Sequence, residues 1–469
     1  MNSGDSGDSA GNPGGNVSAG GASTSVAGAS STSGGAGQTS SASGSTSSAG
    51  QTSGGSAAGG ASGASSSAGN AGSAGRASGG TTGAAGSTQT TGGNGGAPGG
   101  GGQAAGGASG AAGSTGSAGS AGAASSATYF IGADITSVQA AEARGATYSD
   151  GTKKDIFQLL KDHGFNYIRL RTFVDPKAAD GYDQTNGYAD LAHTITFGKR
   201  IKAAGLGFLL DFHYSDNWAD PGKQCVPIAW QGYTTIAQLA TAVHDYTKDA
   251  ITQLIAGGAR PDMVQIGNEI TPGMLINVCD SGGQPTGNNQ VTGSISNWTN
   301  LGTLLKAGVQ GVKDVDTGIK IMLHIDRGGD KGGYTGGALN TSESFITNAQ
   351  KQGVAFDVFG ESCYQAYQGD PNSTTNTKTD WTDTFTGLTT KFPNLKFVAA
   401  EYGPMQREIN DVLFGLSNQQ GLGTFNWEPT EQGAWNTGHS LFTAAGNTNT
   451  ATADLALYDA MKTAYAGRL

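Results

Sequence analysis

Eight short apolar runs, each followed by polar residues and then by a helical pattern, limit what this chain can fold into. They fall at 129–133, 167–171, 208–213, 263–268, 319–325, 356–359, 397–401 and 424–427. Between them, segments such as 153–160, 189–204, 236–255 and 301–312 space apolar residues three and four apart, the period of a helix with one buried face. Gly164, Gly205, Gly353 and Gly421 each stand shortly before a run, where a helix would end. Strands that are apolar nearly throughout belong to a parallel sheet covered on both faces. Eight strand-helix units predict a closed (β/α)8 barrel of the α/β class, a TIM barrel. An open doubly wound sheet is the rival, but the chain lacks the Gly-x-Gly-x-x-Gly turn after its first strand.

The barrel occupies only part of the 469 residues. Residues 1–127 are Gly, Ser, Ala and Thr with almost no apolar bulk, and their only charges are Asp5, Asp8 and Arg76. Such a stretch cannot bury enough surface to offset the entropy of ordering it, and it reads as a disordered linker or stalk. Residues 128–469 carry all six Trp and all three Cys and suit one large barrel domain. The formal net charge of −10, with no basic stripe, excludes nucleic acid and anionic membrane as expected partners. No apolar run is long enough to span a bilayer. The start Met1-Asn2-Ser3-Gly4 has neither a charged nor an apolar leader segment, so no signal peptide is visible. A long Gly/Ser tail ahead of a folded domain nevertheless suits an enzyme tethered outside the cell, and the expected location is extracellular or cell-surface. The expected oligomeric state is a monomer.

In a barrel of this kind, chemistry collects at the carboxyl ends of the strands. Asp134 ends the first strand, Arg169 and Arg171 the second, and the third runs into Asp211, His213, Asp216 and Trp218. Asn268 and Glu269 end the fourth, His324 and Asp326 the fifth, and Tyr364 the sixth. Glu401 ends the seventh, and Trp427 and Glu428 the eighth. A carboxylate directly after an apolar run is costly to bury and rarely serves packing. Glu269 and Glu401 both occupy such positions, and two carboxyls converging on one cleft are what glycosidic bond hydrolysis needs. Indoles that stack on sugar faces and polar tips that bond hydroxyls complete the expected set. Cys225 and Cys279 lie in predicted loops after neighbouring strands and are either a disulfide pinning two loops or two free thiols, while Cys363 reads as a small core residue. No Cys-x-x-Cys or spaced His cluster argues for a metal, residues 438–454 offer oxygen ligands without a recognisable calcium-loop pattern, and no cofactor is expected.

These strings resemble the arabinogalactan endo-β-1,4-galactanases of glycoside hydrolase family 53, over roughly residues 130–465. The resemblance rests on Gly132-Ala133-Asp134, Ile168-Arg169-Leu170-Arg171, and Leu210-Asp211-Phe212-His213-Tyr214-Ser215-Asp216 followed by Trp218-Ala219-Asp220-Pro221. It continues through Gln265-Ile266-Gly267-Asn268-Glu269-Ile270, Gly273-Met274-Leu275, His324-Ile325-Asp326 and Asn426-Trp427-Glu428-Pro429. It implies a (β/α)8 barrel, retention of anomeric configuration and endo cleavage of β-1,4-galactan, with Glu269 as acid/base and Glu401 as nucleophile. The chain departs from the family at 360–367 (Gly-Glu-Ser-Cys-Tyr-Gln-Ala-Tyr), at Tyr402 after the nucleophile, and at Asn426 in strand eight. All three departures are expected in the cleft wall.

Asp134, Arg171, His213, Trp218, Asn268, His324, Asp326, Tyr364, Trp427 and Glu428 are the expected substrate-binding set. Arg171 is expected to orient Glu401 and keep it ionised, Asn268 to bond a sugar hydroxyl near the anomeric centre, and Tyr364 to donate to the nucleophile. Asp211 and Asp216 brace loops, and Glu361 in mid-strand has no evident role. Two other readings stand beside the galactanase. One is a related barrel glycosidase on another β-linked polysaccharide. The other is a non-catalytic carbohydrate-binding or adhesive protein.

Overall fold

The computed structural model describes residues 128–329, 338–431 and 440–469. The expected linker at 1–127 and the start of the 438–454 loop lie outside the described residues. Eight parallel strands close into a barrel: β1 (Phe130–Asp134), β2 (Tyr167–Thr172), β3 (Gly207–Phe212), β4 (Met263–Ile266), β5 (Lys320–Ile325), β6 (Val358–Ser362), β7 (Lys396–Tyr402) and β8 (Gly421–Trp427). Each pairs with the next in chain order, and β8 closes on β1 with Phe130 opposite Gly423 and Asp134 opposite Trp427.

The main helix after each strand packs outside: α1 (Ile156–Asp162), α2 (Leu191–Ala203), α3 (Ile236–Ala256), α4 (Trp298–Lys313), α5 (Ala338–Lys351), α6 (Thr374–Lys391), α7 (Gln406–Phe414) and α8 (Leu455–Ala464). The longest, α3, begins at a capping box in which Thr235 and Gln238 satisfy each other's backbone N–H groups. It buries Leu239, Val243, Thr247, Ala250, Ile251 and Leu254, a single stripe at helical spacing. Gly164 and Gly205 end their helices with φ of 94° and 72°, as anticipated. Gly421 does something else. It opens β8, where an added Cβ would lie 1.8 Å from the Leu413 carbonyl.

Side chains alternate along each strand, so every second residue enters the barrel. Phe130, Tyr167, Leu209, Met263, Met322, Val358, Val398 and Phe425 form an apolar floor. Two residues further along β2 to β5, the inward positions are Arg169, Asp211, Gln265 and His324, all at most 1 % exposed. The site therefore rests on a dry apolar plug beneath a polar layer. A bulge in β7 adjusts this layer. Ala399 opposes Thr424 and Tyr402 opposes Asn426, so β7 carries one residue more than β8 over that step. Strict alternation would turn Glu401 outward; the extra residue turns it inward and sends Tyr402 out, where its hydroxyl meets that of Tyr458 on α8 at 2.9 Å.

β6 runs further than the sequence pattern indicated, to Ser362. Cys363 lies just past it and is fully buried, in keeping with a packing role. Glu361 alternates outward into the layer between barrel and helices and is fully buried. Its Oε2 accepts the Arg327 N–H at 3.0 Å, while Oε1 has no hydrogen-bond partner. Burial pushes this carboxyl up to about 8. The folded chain thus keeps a proton that the unfolded chain gives up near pH 4.5, and the associated stability is complete below that value and lost as pH rises through about 8. Glu361→Gln is expected to flatten the fall in unfolding free energy between pH 5 and 8, gaining on the order of 1–2 kcal/mol at the upper end. Urea melts at the two pH values check this; an unchanged slope would assign the pH dependence to other groups.

Candidate active site

Arg169 organises the polar layer. Its Nη1 meets Asp134 Oδ2 at 2.7 Å, and its Nη2 meets Asp211 Oδ2 at 2.8 Å, Asn268 Oδ1 at 2.7 Å and Glu401 Oε1 at 3.0 Å. Nε reaches Gln265 Oε1 at 3.3 Å. Burial opposes the guanidinium's charge, but Asp211, Glu401 and Asp134 more than offset it and hold its pKa above the ordinary arginine value. Asp211 is also buried, yet Arg169 and His213 keep it below the usual carboxylate range.

Glu269 and Glu401 meet above this layer in unlike surroundings. Glu401 is ion-paired through Oε1 with Arg169 and accepts the Tyr364 hydroxyl on Oε2 at 3.0 Å, and both contacts favour the ionised form. Glu269 has no cationic partner among the described residues. Its Oε1 is hydrogen-bonded to Ser362 Oγ at 2.5 Å, and Ser362 is the register partner of Glu401 on the neighbouring strand. Burial raises both carboxyls. Arg169 opposes the rise at Glu401, whereas the charge of Glu401 adds to it at Glu269. Glu269 is set by a tight turn after β4, with φ of 80° at Gly267 and 44° at Glu269 itself.

Arg171 stands at the rim. It pairs with Glu428, lies 3.7 Å from Asp134 Oδ1, and is seated 4.0 Å from the ring centre of Trp218. Glu428 also accepts from Ser137 Oγ at 2.5 Å. Trp218 and Trp427 meet at 6.0 Å between centroids, and Tyr364 stands edge-on to Trp427 at 6.3 Å, so the rim presents joined aromatic surfaces. Cys225 and Cys279 form a disulfide with Cα atoms 5.8 Å apart, tying the loops after β3 and β4.

Several expectations need correction. Arg169, not Arg171, holds Glu401. Both enter the barrel, but Arg169 lies one inward step deeper, beneath the two glutamates and 3.0 Å from Glu401. Asp134 and His324 are fully buried and bonded within the protein, so they brace the site from below. His213 is 3 % exposed, with Nε2 3.1 Å from Asp211 and Nδ1 accepting the Ala219 N–H at 2.9 Å. Asp326 is taken up by Thr271 and Arg327. Glu428 is taken up by Arg171 and Ser137, whereas Asn268, Tyr364, Trp427 and Trp218 stand on the side of the two glutamates, with Tyr364 on Glu401, Trp427 against Tyr364 and Trp218 against Trp427. Gln265 and Ser362 are further residues of the layer: Gln265 stands an inward step above Met263, which is a usable signal, whereas Ser362 follows Gly360 beyond the apolar run at 356–359 and carries none.

Of the departures from the family pattern, the segment at 360–367 does reach the cleft, through Ser362 on Glu269 and Tyr364 on Glu401, while Asn426, Tyr402 and, within that segment, Cys363 lie elsewhere than expected. Asn426 Nδ2 donates to Tyr458 OH at 2.8 Å and Tyr402 faces the same hydroxyl, so both point away from the cleft. Cys363 packs against Gly328, outside the barrel. Arg169→Met is expected to strand Asp134, Asp211 and Glu401 without their shared cation and to cost roughly 3–5 kcal/mol. Thermal unfolding read against the wild type tests this; unaltered stability would show that the carboxylates simply take up protons.

A sequence profile for glycosyl hydrolase family 53 matches residues 130–464. An arabinogalactan endo-β-1,4-galactanase of Thermothelomyces thermophilus is 31 % identical over 332 residues, 65 % of this chain and 90 % of that one. An endo-β-1,4-galactanase of Bacillus subtilis is 31 % identical over 64 % of this chain and 69 % of its own. An uncharacterised protein of Niallia circulans is 40 % identical over 243 residues, 51 % of this chain and 60 % of its own length. Among solved structures, a fungal β-1,4-galactanase superposes with a TM-score of 0.58 at 27 % identity, over 71 % of this chain and all of that one. The GH53 catalytic domain of Ignisphaera aggregans gives 0.58 at 28 %, over 72 % of this chain and 97 % of its own. A barrel with two glutamates brought together at the ends of its fourth and seventh strands, and a profile match across nearly all of its folded length, make this chain a glycoside hydrolase and a member of family 53.

Proposed function

We propose that the protein is a retaining, endo-acting hydrolase of β-1,4-galactosidic bonds in galactan or arabinogalactan. The observation that carries the reading is the unequal surroundings of Glu269 and Glu401. Glu401 has an arginine and a hydroxyl donor, which oppose the rise that burial causes; Glu269 has no cation among the described residues, and burial and the Glu401 charge push it higher. Glu401 attacks the anomeric carbon while Glu269 protonates the leaving oxygen, giving a glycosyl-enzyme. Glu269, now a base, then takes a proton from water as the water displaces Glu401. Tyr364 and Arg169 steady the charge on Glu401. Trp218 and Trp427 provide stacking surfaces, and Asn268 offers an amide beside the reacting centre.

The galactan assignment draws on the named activities of the similar enzymes. It is supported by the outward orientation of Asn426 and Tyr402, which leaves the rim free of those two departures. Action outside the cell is part of the same proposal, and among the described residues no helix is long and apolar enough to cross a membrane.

Glu269→Gln and Glu401→Gln are each expected to lower kcat on β-1,4-galactan by at least roughly a thousandfold. Proton NMR of the first product is expected to show retained β configuration. Retained activity in either variant overturns the role of that residue, and faster release of reducing ends from xylan, mannan or glucan overturns the substrate. Activity is also expected to follow a bell in pH. The acid limb marks protonation of Glu401. The alkaline limb, where Glu269 loses its proton, sits above the ordinary carboxylate range because burial and the Glu401 charge raise that group. An alkaline limb near pH 4 would contradict this arrangement.

A further inference from the structure

The hydrogen-bond directions beneath Glu269 can be worked out in sequence from one unambiguous donor. Arg169 Nη2 can only donate, and it lies 2.7 Å from one terminal atom of the Asn268 side chain, so that atom is the oxygen Oδ1. The Asn268 amide nitrogen correspondingly donates to the Ala219 carbonyl at 2.9 Å. His324 Nδ1 is 3.0 Å from Asn268 Oδ1, an acceptor, so Nδ1 carries the imidazole hydrogen. Two donors also approach this nitrogen, both from farther off than the amide oxygen. Gln265 Nε2 is at 3.2 Å, and its two hydrogens have acceptors at Asp211 Oδ1, 2.5 Å away, and at the Gly267 carbonyl, 3.1 Å away. The Glu269 N–H is at 3.5 Å, a weaker contact than the 3.0 Å to Asn268 Oδ1. A neutral imidazole has one N–H, so His324 Nε2 is a bare acceptor. It faces Ser362 Oγ at 3.0 Å. The serine's single hydrogen therefore goes to His324, and Ser362 Oγ meets Glu269 Oε1 at 2.5 Å as an acceptor.

We propose that Ser362 and His324 form a hydrogen-bond clamp that keeps Glu269 in its acid form: with the serine hydrogen committed to His324 Nε2, Glu269 satisfies Ser362 only by bringing a proton of its own. This rests on Glu269 as the acid in the proposed hydrolysis and adds the positioning residues that set its protonation. When Glu269 gives its proton to the leaving oxygen, the serine hydroxyl turns from His324 to the new carboxylate. The hydroxyl then turns back when Glu269 recovers a proton from the attacking water. No proton leaves the Glu269–substrate–water set; only the serine O–H rotates. The clamp needs a neutral imidazole, and His324 is fully buried beside the Arg169 cation, with Asp211 and His213 as its other ionisable neighbours. Both burial and Arg169 disfavour a second proton on the ring. Glu269 itself is faced by Glu401, Asp326 and Asp220, all acidic, and each favours the protonated state that the clamp selects.

Two measurements test the clamp. In Ser362→Ala, Glu269 loses the acceptor for its proton, so the alkaline limb of kcat/KM on β-1,4-galactan is expected to move down by about one pH unit. A serine that donated to an ionised Glu269 would give the opposite sign, and an upward shift or no shift overturns the proposal. Independently of activity, ring nitrogen shifts of 15N-histidine-labelled protein are expected to show His324 neutral with its hydrogen on Nδ1 from pH 5 to 8. The resonance is identified by its loss in His324→Gln. A hydrogen on Nε2, or a doubly protonated ring, overturns the clamp. Glu269→Gln keeps the two readings apart: if the variant retains the alkaline limb on galactan, Glu269 is not the acid, and the His324 tautomer alone then decides whether the clamp exists.

Discussion

One guanidinium carries the organisation of this site. Arg169 is the shared partner of Asp134, Asp211 and Glu401, and it also fixes the amide of Asn268. Three carboxylates around one buried cation leave the layer short of positive charge. The shortage is met partly by neutral donors, Tyr364 on Glu401 and Gln265 on Asp211, and burial and the Glu401 charge push the Glu269 carboxyl above its ordinary range. Low polarity inside the barrel makes each assignment consequential, because an unmatched charge there has no water to turn to. The division of labour between two chemically identical glutamates follows from which of them reaches the arginine.

Reaching it depends on backbone irregularities as much as on side chains. The extra residue in β7 rotates Glu401 into the barrel and Tyr402 out. The left-handed turn at Gly267 and Glu269 lifts the second carboxyl above the polar layer instead of into it. Regular strands would deliver neither. The apolar floor beneath, from Phe130 to Phe425, keeps the layer dry and its geometry narrow. The disulfide and the aromatic contacts of Trp218 and Trp427 then hold the rim loops over it. The interior is thus graded along the barrel axis, from packing at the floor, through charge pairing, to aromatic rings at the top.

Much of the site was legible residue by residue. Two glutamates directly after apolar runs mark costly burial, and costly burial marks chemistry. The aromatic and amide residues at the ends of β3, β4, β6 and β8 stood out in the same way. What could not be read was depth. Arg169 and Arg171 share a face and a motif, and one step of about 7 Å along the strand decides which one pairs with Glu401. His213, His324 and Asp134 looked like sugar contacts because polar residues at strand ends usually face the cleft; here they are consumed by the layer beneath it. Asn426 and Tyr402 looked like changes to the cleft wall because the β7 bulge is invisible in the residue pattern.

The amino-acid sequence alone determined the eight-fold strand-helix alternation, the barrel, the family and the identity of the paired carboxyls, because hydrophobic period and local composition are properties of the chain itself. The tertiary structure decided which arginine serves Glu401, which residues lie under the site and which line it, and the direction in which hydrogens point around Glu269. Those depend on distances between strands far apart in the chain, on one bulge and on one strained turn. In a barrel interior a single inward step, or one lone pair already taken, changes the role of a residue without changing its name.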